Sequence, residues 1–359
     1  MNHTSAPSTR NPCVTFRSFN CTGPSLPENY RALLLAILAF FTLATILGNL
    51  LIISSIAFFR QLQSFPNVLA LSLAFSDFLV GLVIMPLAVT KVIYNCWFYA
   101  RLYCNVHYFL DFTFTNCSIL HLCSIALNRY VAITDPLRYE SRVTRRTLVV
   151  MLVTCWLGSA VSSSPILLSL SPTLSVGTIK RISCPDDCVF DINIGIMVVI
   201  GYCPYFASLV VIVCIYGKIY RIARAQVTKI RAQQGGGAGG GAGAGGGGGP
   251  RTDKDNAEAL LKLRTMKREH SATKTLGVII GFFLISWLPY YVIVLASLAL
   301  ADTLLAYRVA LWIGYISSAF NPILYAAFNR PFRNAFRLMF RLKVFGEGAR
   351  DTDLSGRLK

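Results

Sequence analysis

The sequence predicts an all-α membrane protein: a seven-transmembrane helix bundle followed by a short amphipathic eighth helix. Three observations lead there. The 359 residues are 54% hydrophobic and only 14% charged, with a mean hydropathy of +0.56, too apolar for an ordinary soluble domain. The apolar residues fall into separate runs of bilayer-spanning length. The basic residues gather in every second connection between those runs.

Taken in order, the first span lies between Arg31 and Arg60, without a single charge. The fourth (Arg146 to Lys180), fifth (Asp191 to Lys218) and sixth (Lys274 to Asp302) are equally free of charge. Each exceeds the roughly 20 residues that an α-helix needs to cross the hydrocarbon. The second span, between Arg60 and Lys91, carries one acid, Asp77; the third, between Arg101 and Arg129, carries Asp111; a shorter seventh run lies between Arg308 and Arg330. Beyond it, Phe332, Phe336, Met339 and Phe340 fall on one side of a helix and Arg333, Arg337 and Arg341 on another, the pattern of a helix lying in the membrane interface.

The net charge of +18 is not spread as a nucleic-acid face. Arg60, the group Arg138, Arg142, Arg145 and Arg146, the Lys218 to Lys274 segment and the Arg330 to Lys359 tail share one side, which the positive-inside rule makes cytoplasmic. The N-terminus is then extracellular, and no apolar leader core precedes the first span, which acts as the insertion signal. The sequons at Asn2 and Asn20 lie on that outer side. The domains read as a glycosylated N-terminus (1–30), a seven-span domain with its eighth helix (31–341) and a cytoplasmic tail (342–359). Gly235 to Gly249 contains only Gly and Ala, so the loop at about 233–256 is a flexible linker. It lacks the preceding strand and following Lys-Ser or Lys-Thr of a phosphate loop.

Of 11 cysteines, Cys13, Cys21, Cys96, Cys104, Cys184 and Cys188 fall on the outer side, where disulfides form. Spacing alone leaves their connectivity open.

Asp111 is the leading candidate for function. It lies inside the apolar segment Val106 to Leu127 with no Lys or Arg in its helical neighbourhood, and a carboxylate at that depth costs several kcal/mol (roughly 2.5–3.5) unless a cation or water meets it. The missing cation is then a ligand. His107 and His121 follow no metal-ligand spacing, and no Ser/His/Asp set, carboxylate pair or HExxH helix points to an enzyme; no metal or cofactor is expected.

Gly48-Asn49, Leu73-Ala74-Phe75-Ser76-Asp77, Asn128-Arg129-Tyr130, Trp156, Phe283 with Trp287-Leu288-Pro289, and Asn321-Pro322-Ile323-Leu324-Tyr325 stand in register on successive spans. Together they resemble a rhodopsin-like (class A) G-protein-coupled receptor over about residues 30–341. Within that class, Asn95-Cys96-Trp97-Phe98-Tyr99, Tyr216-Gly217-Lys218-Ile219-Tyr220 and the Cys184/Cys188 pair resemble the trace amine-associated receptors, of which this would be a divergent member.

The resemblance implies a plasma-membrane receptor, non-enzymatic, whose extracellular amine ligand pairs with Asp111. Tyr315 would hydrogen-bond the aspartate, with Trp312, Trp287, Tyr290 and Tyr291 lining the pocket and Phe283 packing beneath it. It implies the disulfides Cys104–Cys188 and Cys21–Cys184, with Cys13 the rival for the second. It implies an allosteric sodium ion near Asp77, with Asn49 and Asn321 in the same polar network. A pivot at Pro289 and a socket of Arg129, Tyr130, Tyr216, Pro322 and Tyr325 would receive a heterotrimeric G protein, of the stimulatory kind that raises cyclic AMP. Membrane lipids are the other partner, and olfaction is a setting the family suggests.

Departures from the family pattern carry their own expectations. Asn128 replaces the usual acid before Arg129, which removes one resting-state lock, leaves Glu269 as a second and should raise basal activity. Ser208 stands where the fifth span usually has its proline, and Pro204 comes a turn earlier, so the kink should move with it. That span offers no serine cluster, which argues against catecholamines. The second charge of a diamine would have to find Asp186, Asp187, Asp191 or Asp302 near the mouth, or cation–π and carbonyl contacts. A serotonin- or histamine-type receptor, an amine-independent constitutive receptor and a transporter are the rival readings.

Overall fold

The computed structural model describes residues 14–16, 19–21, 26–135, 138–168, 188, 194–235, 276–297, 304–341 and 348–356. Seven helices there are long and apolar enough to cross a bilayer: α1 (Glu28–Phe58), α2 (Phe65–Tyr94), α3 (Leu102–Thr134), α4 (Arg145–Leu167), α5 (Val198–Ile222), α6 (Leu276–Ala296) and α7 (Leu304–Phe328). The short helix α8 (Arg330–Phe340) follows, burying Phe332 and Phe336 while Phe340 stays exposed. A hydrocarbon environment demands that each segment satisfy its own backbone, which a helix does. The seven spans are therefore the expected bundle. Large apolar side chains such as Phe40, Leu47, Leu157 and Ile285 remain exposed on the outer faces, as they should against lipid. α3 is the inner post, packed on α2, α4 and α5, while α1 closes against α2 and α7. α5 continues in helix to Gly235; the Gly/Ala run beyond it and the 257–274 stretch lie outside the described residues.

Prolines set two of the bundle's irregularities, because each removes the N–H that would serve the carbonyl four residues back. In α5 a wide π-turn spans Val198–Tyr202, just ahead of Pro204, while Ser208 sits in regular helix. The distortion has thus moved with the proline. The carbonyl of Ile200, left without its helical donor, accepts from Asn116 Nδ2 of α3 at 3.0 Å. α7 repeats the arrangement: Pro322 frees the carbonyl of Ser318, and Asn49 Nδ2 of α1 donates to it at 3.1 Å. Gly48 makes this approach feasible, since a Cβ there would stand 2.7 Å from the Pro322 ring.

A small antiparallel hairpin, β1 (Val14–Phe16) and β2 (Phe19–Cys21), precedes α1. Cys104 bonds Cys188, as the family resemblance implied. Cys21 does not bond Cys184: it bonds Cys96, with Cα atoms 5.2 Å apart. The hairpin carries Cys21 to the α2–α3 connection, where Asn95 in left-handed conformation (φ 50°) ends α2 and turns the chain into Cys96, and a half-cystine makes one bond only. Cys184 and the rival Cys13 lie outside the described residues, as do Asn2 and Glu269. Asn20 lies in β2, one residue before the disulfide.

At the other end the chain folds back on itself. Leu354 is fully buried in the main core. Its N–H donates to Gln61 Oε1 at 2.6 Å, and Asn334 Nδ2 of α8 donates to the carbonyls of Leu354 and Gly356, both at 2.9 Å. Arg60 meets both carboxylate oxygens of Asp351, at 3.1 and 3.2 Å.

Candidate functional site

Asp111 sits on the inner face of α3, in the half of the bundle nearer the N-terminal hairpin, with 8% of its surface exposed. Oδ2 accepts from the Tyr315 hydroxyl of α7 at 2.6 Å. Oδ1 is buried too, and no described residue donates to it. A buried carboxylate oxygen left without a donor is costly, and its natural complement is a hydrogen-bonding cation.

The surroundings are aromatic. Trp287 of α6 lies 5.6 Å from Tyr290 and 6.0 Å from Tyr315, ring centre to ring centre. Trp312 is edge-on to Tyr315 at 5.6 Å. Phe283 lies one turn below Trp287, at 6.3 Å. Gly314 lets α7 come this near: a Cβ there would stand 2.9 Å from the Trp287 indole. The indole nitrogens of Trp287 and Trp312 are buried and find no acceptor among the described residues. Tyr291 is turned toward α5, stacked on Tyr205 at 4.1 Å, so it serves as the packed α5–α6 wall. The hydroxyls of Tyr205 and Tyr202 donate to the carbonyls of Leu284 and Tyr291 at 2.6 and 2.9 Å.

Sequence reasoning missed four members of this shell. Tyr205 and Tyr202 complete the α5 wall. Tyr307 lies beside Tyr290, the rings tilted with centres 5.6 Å apart, and precedes Tyr315 by eight residues, hence lies toward its face of α7. Tyr108, three residues before Asp111, shares the aspartate's face of α3. Helical spacing from the two predicted residues was the signal that could have found Tyr108 and Tyr307. Asp186, Asp187, Asp191 and Asp302 lie outside the described residues.

Deeper in the bundle, Asp77 is fully buried. Its Oδ1 accepts from Ser118 at 3.2 Å and Ser318 at 2.9 Å, its Oδ2 from Asn321 at 2.6 Å. Carboxylate and hydroxyl oxygens from α2, α3 and α7 form a hard donor set that fits a monovalent cation, with Ser118 and Ser318 additions to the sequence reading. Asn49 reaches α7 through the Ser318 carbonyl rather than through Asp77. His121 is a structural residue: its Nε2 lies 2.8 Å from Ser72 Oγ, which also accepts from Trp156 Nε1 at 2.9 Å.

At the far end of α3, Asn128 Oδ1 accepts from the Tyr139 hydroxyl at 3.1 Å. Arg129 lies within electrostatic range of the Tyr216 and Tyr325 hydroxyls, both buried. The structure places the three residues, from α3, α5 and α7, at this end of the bundle, with no hydrogen bond described between Arg129 and either hydroxyl. The Tyr325 ring packs on Phe332 of α8 at 4.8 Å, and Lys218 lies 5.9 Å from the Tyr130 ring centre.

A carboxylate and aromatic shell near one end, a buried polar cluster midway and an Arg–Tyr group at the other describe a two-ended signalling bundle. Residues 48–325 match the family model of the 7 transmembrane receptor (rhodopsin family). Trace amine-associated receptor 365 of Petromyzon marinus is 39% identical over 95% of this chain and 89% of its own length. Trace amine-associated receptor 7b of Mus musculus is 33% identical and receptor 7d of Rattus norvegicus 32%, each over 95% of this chain and 91% of the relative. The matched regions run nearly end to end. The chain is a multi-pass membrane receptor, not an enzyme, and belongs to the trace amine-associated receptors of the rhodopsin family.

Proposed function

We propose that the receptor binds an extracellular amine whose ammonium pairs with Asp111, and that binding drives a stimulatory G protein and raises cyclic AMP. The observation that carries this reading is the buried Oδ1 of Asp111, left without a described donor beside Tyr315, Trp287 and Tyr290. Ammonium groups are bound by the combination of a carboxylate and aromatic faces. The α5 wall is aromatic rather than a serine cluster: Tyr202 and Tyr205 pack there and donate their hydroxyls to α6 carbonyls, which favours an aromatic or aliphatic amine over a catechol. The N-terminus, with its sequons at Asn2 and Asn20, faces outward, and the Arg-rich connections face the cytoplasm. The G protein docks at Arg129, Tyr130, Tyr216 and Tyr325 once α6 swings about Pro289, while Phe283 and Asn321-Pro322 relay the shift. A sodium ion would be held by Asp77 with Ser118 and Ser318, in competition with Asn321 for the second carboxylate oxygen.

The test is cyclic AMP in cells expressing wild type or Asp111→Ala, scanned across amines with surface expression matched. An amine response in wild type that Asp111→Ala abolishes supports the reading. A response that survives the substitution removes Asp111 from its assigned role.

A further inference from the structure

The returning tail ties together two elements, α8 and the α1–α2 connection. Of residues 351–356 only Leu354 is buried, in the same core as Leu62, Phe332 and Phe336. Its N–H donates to Gln61 Oε1 on the α1–α2 connection at 2.6 Å, and Asn334 Nδ2 on α8 donates to the carbonyls of Leu354 and Gly356 at 2.9 Å. The tail is thereby a clasp between them. Arg60 and Asp351 add an ion pair at 3.1 Å, but both side chains are more than half exposed and such pairs contribute little. The one buried leucine therefore carries most of the clasp, and a contact of that size can open locally without unfolding the bundle.

Two residues before Asn334, Phe332 is fully buried and packs on the Tyr325 ring with centres 4.8 Å apart. The Tyr325 hydroxyl is itself buried with no acceptor among the described residues, an arrangement that costs free energy and needs its surroundings to hold it. α8 is part of what holds it. Besides the tail, the described polar tie from α8 to α1 is a weak one, Ser55 Oγ to Met339 Sδ at 3.4 Å.

We propose that the tail clasp is an autoinhibitory contact: docked between Gln61 and Asn334, residues 351–356 fix α8 and, through Phe332, keep Tyr325 where it is, so that opening the clasp frees Tyr325 and raises basal signalling. The signalling half rests on the reading of Tyr325 as part of the G-protein socket.

The test compares wild type with Leu354→Glu, whose charge is costly to bury, and Leu354→Met, which refills the site at similar volume. Each full-length receptor is purified in nanodiscs with a 3-fluoro label on the Tyr325 ring for fluorine NMR. Hydrogen exchange over residues 352–356 reports the clasp, and basal cyclic AMP is read in cells at matched surface expression. Leu354→Glu should lose at least about tenfold of the exchange protection, shift or split the fluorine resonance and raise basal cyclic AMP. Leu354→Met should match wild type in all three. Exchange as fast in wild type as in Leu354→Glu, or a clasp that opens while the fluorine resonance stays fixed, would overturn this proposal alone. A resonance that moves while basal cyclic AMP stays unchanged would overturn the socket reading of Tyr325 and the autoinhibitory role with it.

Discussion

Tyr315 holds one oxygen of Asp111 while the other has no donor among the described residues, so under the proposed amine pairing the two residues should differ in mutational cost. Tyr315→Phe keeps the ring and loses one charge-assisted bond, which is worth about 1.5–3 kcal/mol; amine affinity should fall roughly ten- to a hundredfold, measured by competition binding. Gly314→Ala tests the neighbouring contact. A methyl group 2.9 Å from the Trp287 indole overpacks the site, and the thermal midpoint should fall by an amount equivalent to about 1–3 kcal/mol. Asp111 was legible from sequence because a lone acid in an apolar run has a large cost that something must offset. Tyr205 was not, since a tyrosine in a span reads as packing. The partner of Cys21 was illegible for a different reason: pairing depends on where the hairpin sets the sulfur in space, and the spacing of cysteines carries no such information.

Between helices, the recurring device is a carbonyl freed by proline and claimed by an asparagine from a neighbour. Asn116→Ala should strand the Ile200 carbonyl and lower stability by about 0.6–1.7 kcal/mol, the range for interhelical polar contacts in membranes. Pro204→Ala restores the helical donor, so the double variant should show a smaller loss than Asn116→Ala alone when thermal midpoints are compared in a double-mutant cycle. The proline positions, and hence the displaced kink of α5, could be read directly from the chain. Asn116 could not be paired with Ile200 beforehand, because helix rotation about the bundle axis leaves no trace in hydropathy. The tail clasp was equally hidden: Leu354 lies in a polar stretch, and only the meeting of Gln61, Asn334 and Arg60 gives it a place to bury. Truncating it to alanine removes about 2–5 kcal/mol of packing. Hydrogen exchange over residues 352–356 should accelerate accordingly while the spans stay protected.

At the scale of the whole bundle, the proposed signalling implies a two-state equilibrium whose balance the Arg129 end of α3 should help to set. Asn128 offers Tyr139 an acceptor but gives Arg129 no charge. Asn128→Asp keeps the acceptor and adds the charge, so the resting population should grow and basal cyclic AMP fall; each 1.4 kcal/mol of added resting stability shifts the ratio about tenfold. Unchanged basal signalling at equal surface expression would remove that role from position 128. The seven-span architecture was fully legible because the bilayer imposes length and apolarity on every span, whereas the order of the site around Asp111 needed the packed bundle. The charge pairing at that residue is testable independently of any G protein. The direct measurement is binding of a primary amine and of its neutral alcohol isostere to purified wild type and Asp111→Asn in nanodiscs. Wild type should bind the amine at least about tenfold more tightly than the alcohol, and Asp111→Asn should lose the difference. An amine that binds Asp111→Asn as tightly as wild type would contradict the pairing.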